Sequence, residues 1–335
     1  MAWSDIIGHE REKRFLQKLL TAKRRPHAFL FAGPAGIGKR LLADEFAAAL
    51  LCGQEDGPCG KCLSCRQFRQ GSHPDYFLLQ PELKKDSQVR KDSIGINQIR
   101  ELCEDAGFAP KQSPVRILLM DGAQLMTDEA SNSLLKLLEE PPTRWMFLLV
   151  SDSLEALLPT IISRTIKVRM SSGTGPEVLA YLQNSSPALP HPEIAAALSC
   201  GSIGQAMRYG AADATRRRAM AFLKAAVFDE CSALSGCLET LNALEKEQQK
   251  EEALLMCEFV AFFIRDAWQS SCGTANIWNV DSTAEMARLF SGTRVSYLKG
   301  LLRHTERAWC SLKQAANPPL ILEGLFLEIA ATGRS

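Results

Sequence analysis

Ala28-Phe29-Leu30-Phe31-Ala32-Gly33-Pro34-Ala35-Gly36-Ile37-Gly38-Lys39-Arg40 decides the fold. Five apolar residues run into a glycine-rich turn, and an Ala- and Leu-rich stretch follows to about Leu51. A short apolar run stopped by glycine reads as a buried strand, and the stretch beyond the turn as a helix. Gly33, Gly36 and Gly38 allow a backbone path whose N–H groups point inward at phosphates, with the positive helix start behind them. Lys39 would reach the β- and γ-phosphates. The loop has every element of a P-loop except the last, because Arg40 stands where a Ser or Thr hydroxyl normally holds Mg²⁺.

Outward from the loop, strands and helices alternate. Residues 75–79, 115–120 (ending at Asp121), 145–150 and 165–170 read as strands. Residues 93–107 read as an amphipathic helix with Ile96, Ile99 and Leu102 on one face. Residues 128–140 form another helix, with Leu134, Leu135, Leu137 and Leu138 as its buried face, stopped by Pro141-Pro142. Buried strands alternating with helices predict an α/β domain with a parallel sheet covered on both faces. The run Ser171-Ser172-Gly173-Thr174-Gly175-Pro176 reads as a hinge. Beyond it the pattern is all-α: a small helical unit to about Gly210, then periodic stretches over 216–228, 246–269, 283–290, 296–312 and 320–331.

The chain has 335 residues, which predicts two or three domains, and its net charge of +1 gives no overall pull toward nucleic acid. Met1-Ala2-Trp3-Ser4-Asp5 lacks the start of a signal peptide, and no apolar run approaches the ~18 residues of a membrane span. Residues 254–264 are apolar but short, and Glu258 interrupts them. A cytoplasmic protein without a membrane partner is expected.

Cys52, Cys59, Cys62 and Cys65 are spaced C-x6-C-x2-C-x2-C directly after the P-loop helix. Clustered cysteines in a long chain without an export signal favour metal. Four thiolates make a closed tetrahedral Zn²⁺ site, structural because no position stays open, and Lys61 and Arg66 offset part of its charge. His73 is a conceivable substitute ligand, with a loop or N-cap role beside Pro74 as the plainer reading. Such a module could bind nucleic acid, bind a partner, or rigidify a loop too short for its own core. Cys103, Cys200, Cys231, Cys237, Cys257, Cys272 and Cys310 are scattered and read as buried thiols.

The P-loop site carries a second defect. Where an active ATPase of this type commonly has Asp-Glu at the strand end, the chain reads Asp121-Gly122. The cradle remains, so ATP binding in cis is expected to be weak or absent, and hydrolysis in cis abolished. Lys84-Lys85 and Arg90-Lys91, interspersed with Asp86 and Asp92, read as a solvated mobile loop, and Arg216-Arg217-Arg218 as a helix face exposed to solvent or to a neighbouring subunit. Glu139-Glu140 sits at a helix C-terminus, where acids are unfavourable by about 0.3–1 kcal/mol, and this hints at a contact surface.

The P-loop stretch, the four-cysteine insert, Gly71-Ser72-His73-Pro74-Asp75, SNSLLKLLEEPP at 131–142, Ile161-Ile162-Ser163-Arg164-Thr165 and Gly201-Ser202-Ile203-Gly204 together resemble the delta-prime family of bacterial DNA polymerase III clamp-loader subunits. These are AAA+ proteins related to gamma/tau. The resemblance covers roughly residues 1–210, and the remainder matches only through its helical character and Asn317-Pro318-Pro319-Leu320. It implies an AAA+ domain over 1–172 with a zinc module at 52–65, a helical lid over 173–211, and a helical collar over 212–335 that joins five subunits in a ring. It implies a stationary subunit that does not hydrolyse ATP and helps load the sliding clamp onto primer-template DNA with gamma/tau and delta. Its Ser-Arg-Cys motif supplies an arginine finger to a gamma/tau ATP site. Here the motif is Ser163-Arg164-Thr165, with Thr for Cys, so Arg164 is the implied catalytic group in trans. Such a finger is typically worth ~10³–10⁵ in rate. By position alone, Arg164 is also a capping cation at a helix C-terminus, and the two roles are compatible. The related subunits carry a nucleotide-sensing arginine where this chain has Gly204, a third loss. Two alternatives are an ATP-hydrolysing subunit of gamma/tau type and a zinc-dependent nucleic-acid binder. Polymerase chemistry is not expected, for want of a two-metal carboxylate constellation.

Overall fold

The computed structural model describes residues 3–22, 25–54, 57–82, 93–105, 109–186, 188–228, 231–274, 276–314 and 317–333. Two units divide the chain: Met1–Gly173 with Ser202–Gly204, and Thr174–Gly201 with Gln205–Ser335.

In the first unit, α1 (Glu10–Leu20), β1 (Ala28–Ala32), α2 (Lys39–Cys52), α3 (Leu63–Arg69) and β2 (Tyr76–Leu79) come first. Then follow α4 (Ile96–Asp105), β3 (Arg116–Asp121), α5 (Asp128–Glu139), β4 (Trp145–Ser151), α6 (Pro159–Ser163) and β5 (Ile166–Arg169). The sheet is parallel in the order β2-β3-β4-β1-β5, with Leu30 level with Leu149 and Lys167. Side chains alternate between faces, as the pleat requires. Phe29, Phe31, Ile117, Leu119 and Leu148 meet Leu16 of α1 and Leu42, Phe46 and Leu50 of α2. Leu30, Leu118, Met120, Phe147 and Leu149 meet Ile99 of α4, Leu134 and Leu138 of α5, and Ile161 of α6. Each fully buried Leu or Phe contributes roughly 1.5–3 kcal/mol, so both faces are firmly covered. The P-loop leaves the carboxyl end of β1, between β4 and β5, beside the ends of β3 and β4. In open parallel sheets that edge is where ligand sites are built.

The four later strands lie within a residue or two of their predicted bounds. Leu135 and Leu137 are half-buried, so Leu134 and Leu138 carry the inward face of α5. Helices α1 and α3 carry weaker sequence signals and go beyond the sequence reading, whereas α6 is the helix expected to end at Arg164. The predicted hinge is shorter than read. Gly175-Pro176 opens a helix, because Thr174 and Glu177 form a capping box at its start. The charged segment 83–92, and the predicted end of the 93–107 helix beyond Asp105, lie outside the described residues.

The second unit comprises α7 (Gly175–Ser185), α8 (Pro192–Leu198), α9 (Ile203–Ala211), α10 (Asp213–Phe228), α11 (Cys231–Asn242), α12 (Lys246–Ser271), α13 (Thr283–Leu289), α14 (Val295–Lys313) and α15 (Pro318–Gly333). The first turn of α9 counts with the first unit. Phe222, Phe259, Phe263, Leu298, Leu301 and Phe326 fill the bundle core. The arginine triplet on α10 is not an exposed face. Arg216 is 4% exposed and donates to Asp213, Asp281 and Asn279, while Arg218 pairs with Glu252, so Arg217 alone is exposed. A helix turns 100° per residue, so three adjacent side chains cannot share one environment. The expectation of buried thiols also needs correction. Cys257 is buried, and burial pushes its thiol up to about 12, but Cys200, Cys272 and Cys310 are exposed. The side chains of Cys103, Cys231 and Cys237 lie outside the described residues. No described helix is long and apolar enough to cross a membrane.

Candidate functional site

The phosphate loop is held from outside through its carbonyls. Pro34 O accepts from Lys39 Nζ, Ala35 O from Ser202 Oγ at 2.9 Å, and Gly36 O from Gly204 N at 2.9 Å. Ile37 O lies 2.9 Å from His9 Nε2, which therefore carries the ring proton. Gly33 is required by space, since a Cβ there would lie 2.1 Å from Met170 O. Gly36 and Gly38 have φ of 75° and 93°, in the left-handed region.

Every charge expected to handle a nucleotide is already matched by a neighbour. Lys39 is 4% exposed and its ammonium sits 2.7 Å from Asp152 Oδ1. Gln124 holds Asp152 through its side chain and accepts the Asp152 N–H at 3.2 Å. Arg40 donates from Nε to Asp44 at 2.7 Å and from Nη1 to Asp121 at 3.0 Å. The guanidinium thus bridges the Asp44 and Asp121 carboxylates. Tyr76 Oη donates to the other oxygen of Asp44 at 2.6 Å. Burial pushes the Asp44 carboxyl above the usual range, against the pull of Tyr76 and Arg40.

The two glycine losses have backbone reasons. Gly122 has φ 86° and starts a 3-10 turn, so a glutamate there would be strained. A Cβ on Gly204 would lie 2.9 Å from Gly36 O and 3.0 Å from Gly36 Cα. Gly204 thus lies in direct backbone contact with the phosphate loop, where no side chain would fit.

Cys52 ends α2, Cys62 caps α3, and Cys65 lies in the first turn of α3. The four Sγ atoms of Cys52, Cys59, Cys62 and Cys65 lie within 4.8 Å of one another, with Cys52–Cys62 at 3.8 Å and Cys59–Cys65 at 4.0 Å. A tetrahedron with ~2.3 Å metal–sulfur bonds has edges of ~3.8 Å, so the cluster fits a metal ion. The N–H groups of Lys61 and Cys62 hold the Cys59 thiol down at about 6, and burial pushes Cys65 up to about 12. A bound cation would offset the mutual repulsion of four thiolates held this close. His73 is not part of this cluster. Its Nδ1 accepts from Asp75 N at 3.0 Å and its Nε2 donates to Ser113 Oγ at 3.1 Å, whose hydroxyl donates to Leu51 O at 2.9 Å. Burial holds this imidazole below its ordinary pKa, hence neutral. The Gly71–Asp75 stretch therefore braces the helix end that supplies Cys52.

Arg164 sits apart from the P-loop as the C-cap of α6, with its side chain 36% exposed. Nη1 donates to Thr160 O at 3.1 Å and Nη2 to Glu139 Oε1 at 2.6 Å. The capping role is real, and the acid at the end of α5 is explained by its arginine. Reading the sequence missed Asp152 and Glu139, which meet their cations only through the fold, and also Asp44, which lies one helical turn after Arg40 on α2 and was legible from its i,i+4 spacing.

A P-loop leaving β1, the strand between β4 and β5 of this five-stranded parallel sheet, with a helical unit further along the chain, is the arrangement of an AAA+ fold. The family model described as "DNA polymerase III, delta subunit" matches residues 8–173. A DNA polymerase III subunit delta' of Pseudomonas aeruginosa is 41% identical over 146 residues, 42% of each chain. The delta' subunit of Escherichia coli K12 is 29% identical over 98% of this chain and 96% of its own. A tau subunit of Bacillus subtilis is 32% identical over 48% of this chain and 28% of its own. The chain belongs to the DNA polymerase III delta-prime family, related to gamma/tau.

Proposed function

We propose that this chain is a non-hydrolysing clamp-loader subunit that completes the ATP site of a neighbouring gamma/tau subunit with Arg164. One contrast carries the reading. Lys39, Arg40 and Asp121 are tied up in ion pairs at the cis site, whereas Arg164 is exposed, away from them, and keeps donors to spare beyond its bonds to Glu139 and Thr160. A guanidinium offered to a partner's transferring phosphoryl group neutralises its charge in the transition state and presents a planar set of donors. In cis, Mg·ATP would have to displace Asp152 from Lys39 and Arg40 from Asp121, so nucleotide binding is weak or absent and turnover does not follow.

The same reading assigns gamma/tau and delta as partners, reaches the sliding clamp and primed DNA through the complex, and places the protein in the cytoplasm. It assigns residues 1–172 to the AAA+ domain, 173–211 to a lid and 212–335 to a collar. Zn²⁺ at Cys52, Cys59, Cys62 and Cys65 is structural. The test is reconstitution with gamma/tau and delta, followed by DNA-stimulated ATPase with wild-type chain and Arg164→Ala. Assembly should persist and the rate should fall, and an unchanged rate removes the finger assignment.

A further inference from the structure

We infer that Glu139 is a positioning residue for Arg164: its carboxylate holds the guanidinium by one N–H and leaves other donors for a phosphate on a neighbouring subunit. The inference rests on the reading of Arg164 as a donor in trans.

The bond from Arg164 Nη2 to Glu139 Oε1 is 2.6 Å, a charge-assisted length. Together with the bond to Thr160 O it uses two of the five guanidinium N–H groups. Three donors remain, enough for bidentate contact with a phosphoryl group while Glu139 stays bound. Stability does not account for the pair. Both side chains are substantially exposed, at 36% and 50%, and such surface pairs contribute little. The carboxylate also stands at the C-terminus of α5, where the macrodipole disfavours it. The position is nonetheless rigidly set. Leu134 and Leu138 anchor α5 in the core, the Glu140 N–H closes its last turn on Lys136 O, and buried Trp145 opens β4 just beyond. Arg164, by contrast, hangs from a five-residue helix. A long arginine side chain on so short a support samples many rotamers unless a fixed acceptor selects one. Glu139 is that acceptor.

Four forms of the chain, E139A, E139Q, R164A and the double variant E139A/R164A, are assembled with gamma/tau and delta and assayed for DNA-stimulated ATPase. E139A should lower kcat about tenfold with KM for ATP within about twofold, short of the loss in R164A. E139Q keeps an oxygen acceptor and should recover most of the rate. The double variant should be no slower than R164A alone, because a positioning residue has nothing left to position. In the isolated chain, ¹⁵N relaxation of the Arg164 Nε–H should report lost order in E139A, independently of any trans role. A wild-type rate in E139A beside a slow R164A overturns this inference and leaves the finger standing. Additive losses in the double variant, or unchanged Nε–H order, also overturn it. A wild-type rate in R164A defeats the finger reading itself.

Discussion

Asp75→Asn should be strongly destabilising to this protein. The Asp75 carboxylate is fully buried. Its Oδ1 accepts the Lys111 N–H at 2.7 Å, and its Oδ2 accepts those of Gln112 at 2.8 Å and Ser113 at 2.9 Å. Arg116, itself 2% exposed, lies 3.5 Å from Oδ1. Asparagine keeps the shape but must turn an N–H₂ toward one side. The better orientation sacrifices the Lys111 bond, sets two donors against each other, and removes the counter-charge of Arg116. Losing one charge-assisted bond costs about 1.5–3 kcal/mol, and the unsatisfied buried donor adds about 1–3, for a total of roughly 2.5–6 kcal/mol. Burial pushes the Asp75 carboxyl up, but the three backbone N–H groups outweigh it and hold the group below its ordinary range. Its contribution is therefore present above the unfolded value of about 3.9 and is lost as pH falls through the lower folded one. Urea titration followed by circular dichroism, at pH 7 and in steps down to pH 3, reads both effects. A loss under about 1 kcal/mol at pH 7, or a wild-type advantage that grows on acidification, would refute the reasoning.

Other changes test other parts of the molecule. The purified chain should carry one zinc ion; Cys62→Ser should lose it and render the Cys52–Cys65 insert protease-sensitive, as metal analysis and limited proteolysis would report. Arg40→Ser removes the guanidinium from Asp121 and supplies a hydroxyl. Calorimetry should register tighter Mg·ATP binding, yet turnover should stay at background, because Gly122 and Gly204 are unchanged. Arg216→Met strips the counter-charge from Asp213 and Asp281 in the second unit and should destabilise the chain by about 3 kcal/mol, measured by urea titration.

Much of this architecture was legible because it is written locally. The apolar runs within 28–32, 116–121 and 145–151 are short and followed by or end at glycine or an acid, so buried strands follow from their length and stops, and a parallel sheet from their alternation with helices. The four cysteines declare their cluster through spacing, since three of them lie within seven residues. What sequence could not give was pairing at a distance. Asp152 meets Lys39 from 113 positions away, as the two residue numbers state, because β1 and β4 are neighbours in the sheet. Gly204 reads as a missing arginine, and only its approach to Gly36 gives the loss a steric cause. The arginine triplet was misread because three adjacent charges suggest a surface, whereas the bundle buries one of them against two aspartates.

The most direct measurement is the DNA-stimulated ATP turnover of gamma/tau, delta and this chain assembled together, with wild-type Arg164 and with Arg164→Ala, beside turnover by the chain alone. The account predicts no turnover by the isolated chain, normal assembly of the variant, and a fall of about 10³-fold or more at the site that Arg164 completes. Sustained Lys39-dependent hydrolysis by the lone chain, or a variant complex as fast as wild type, would contradict it.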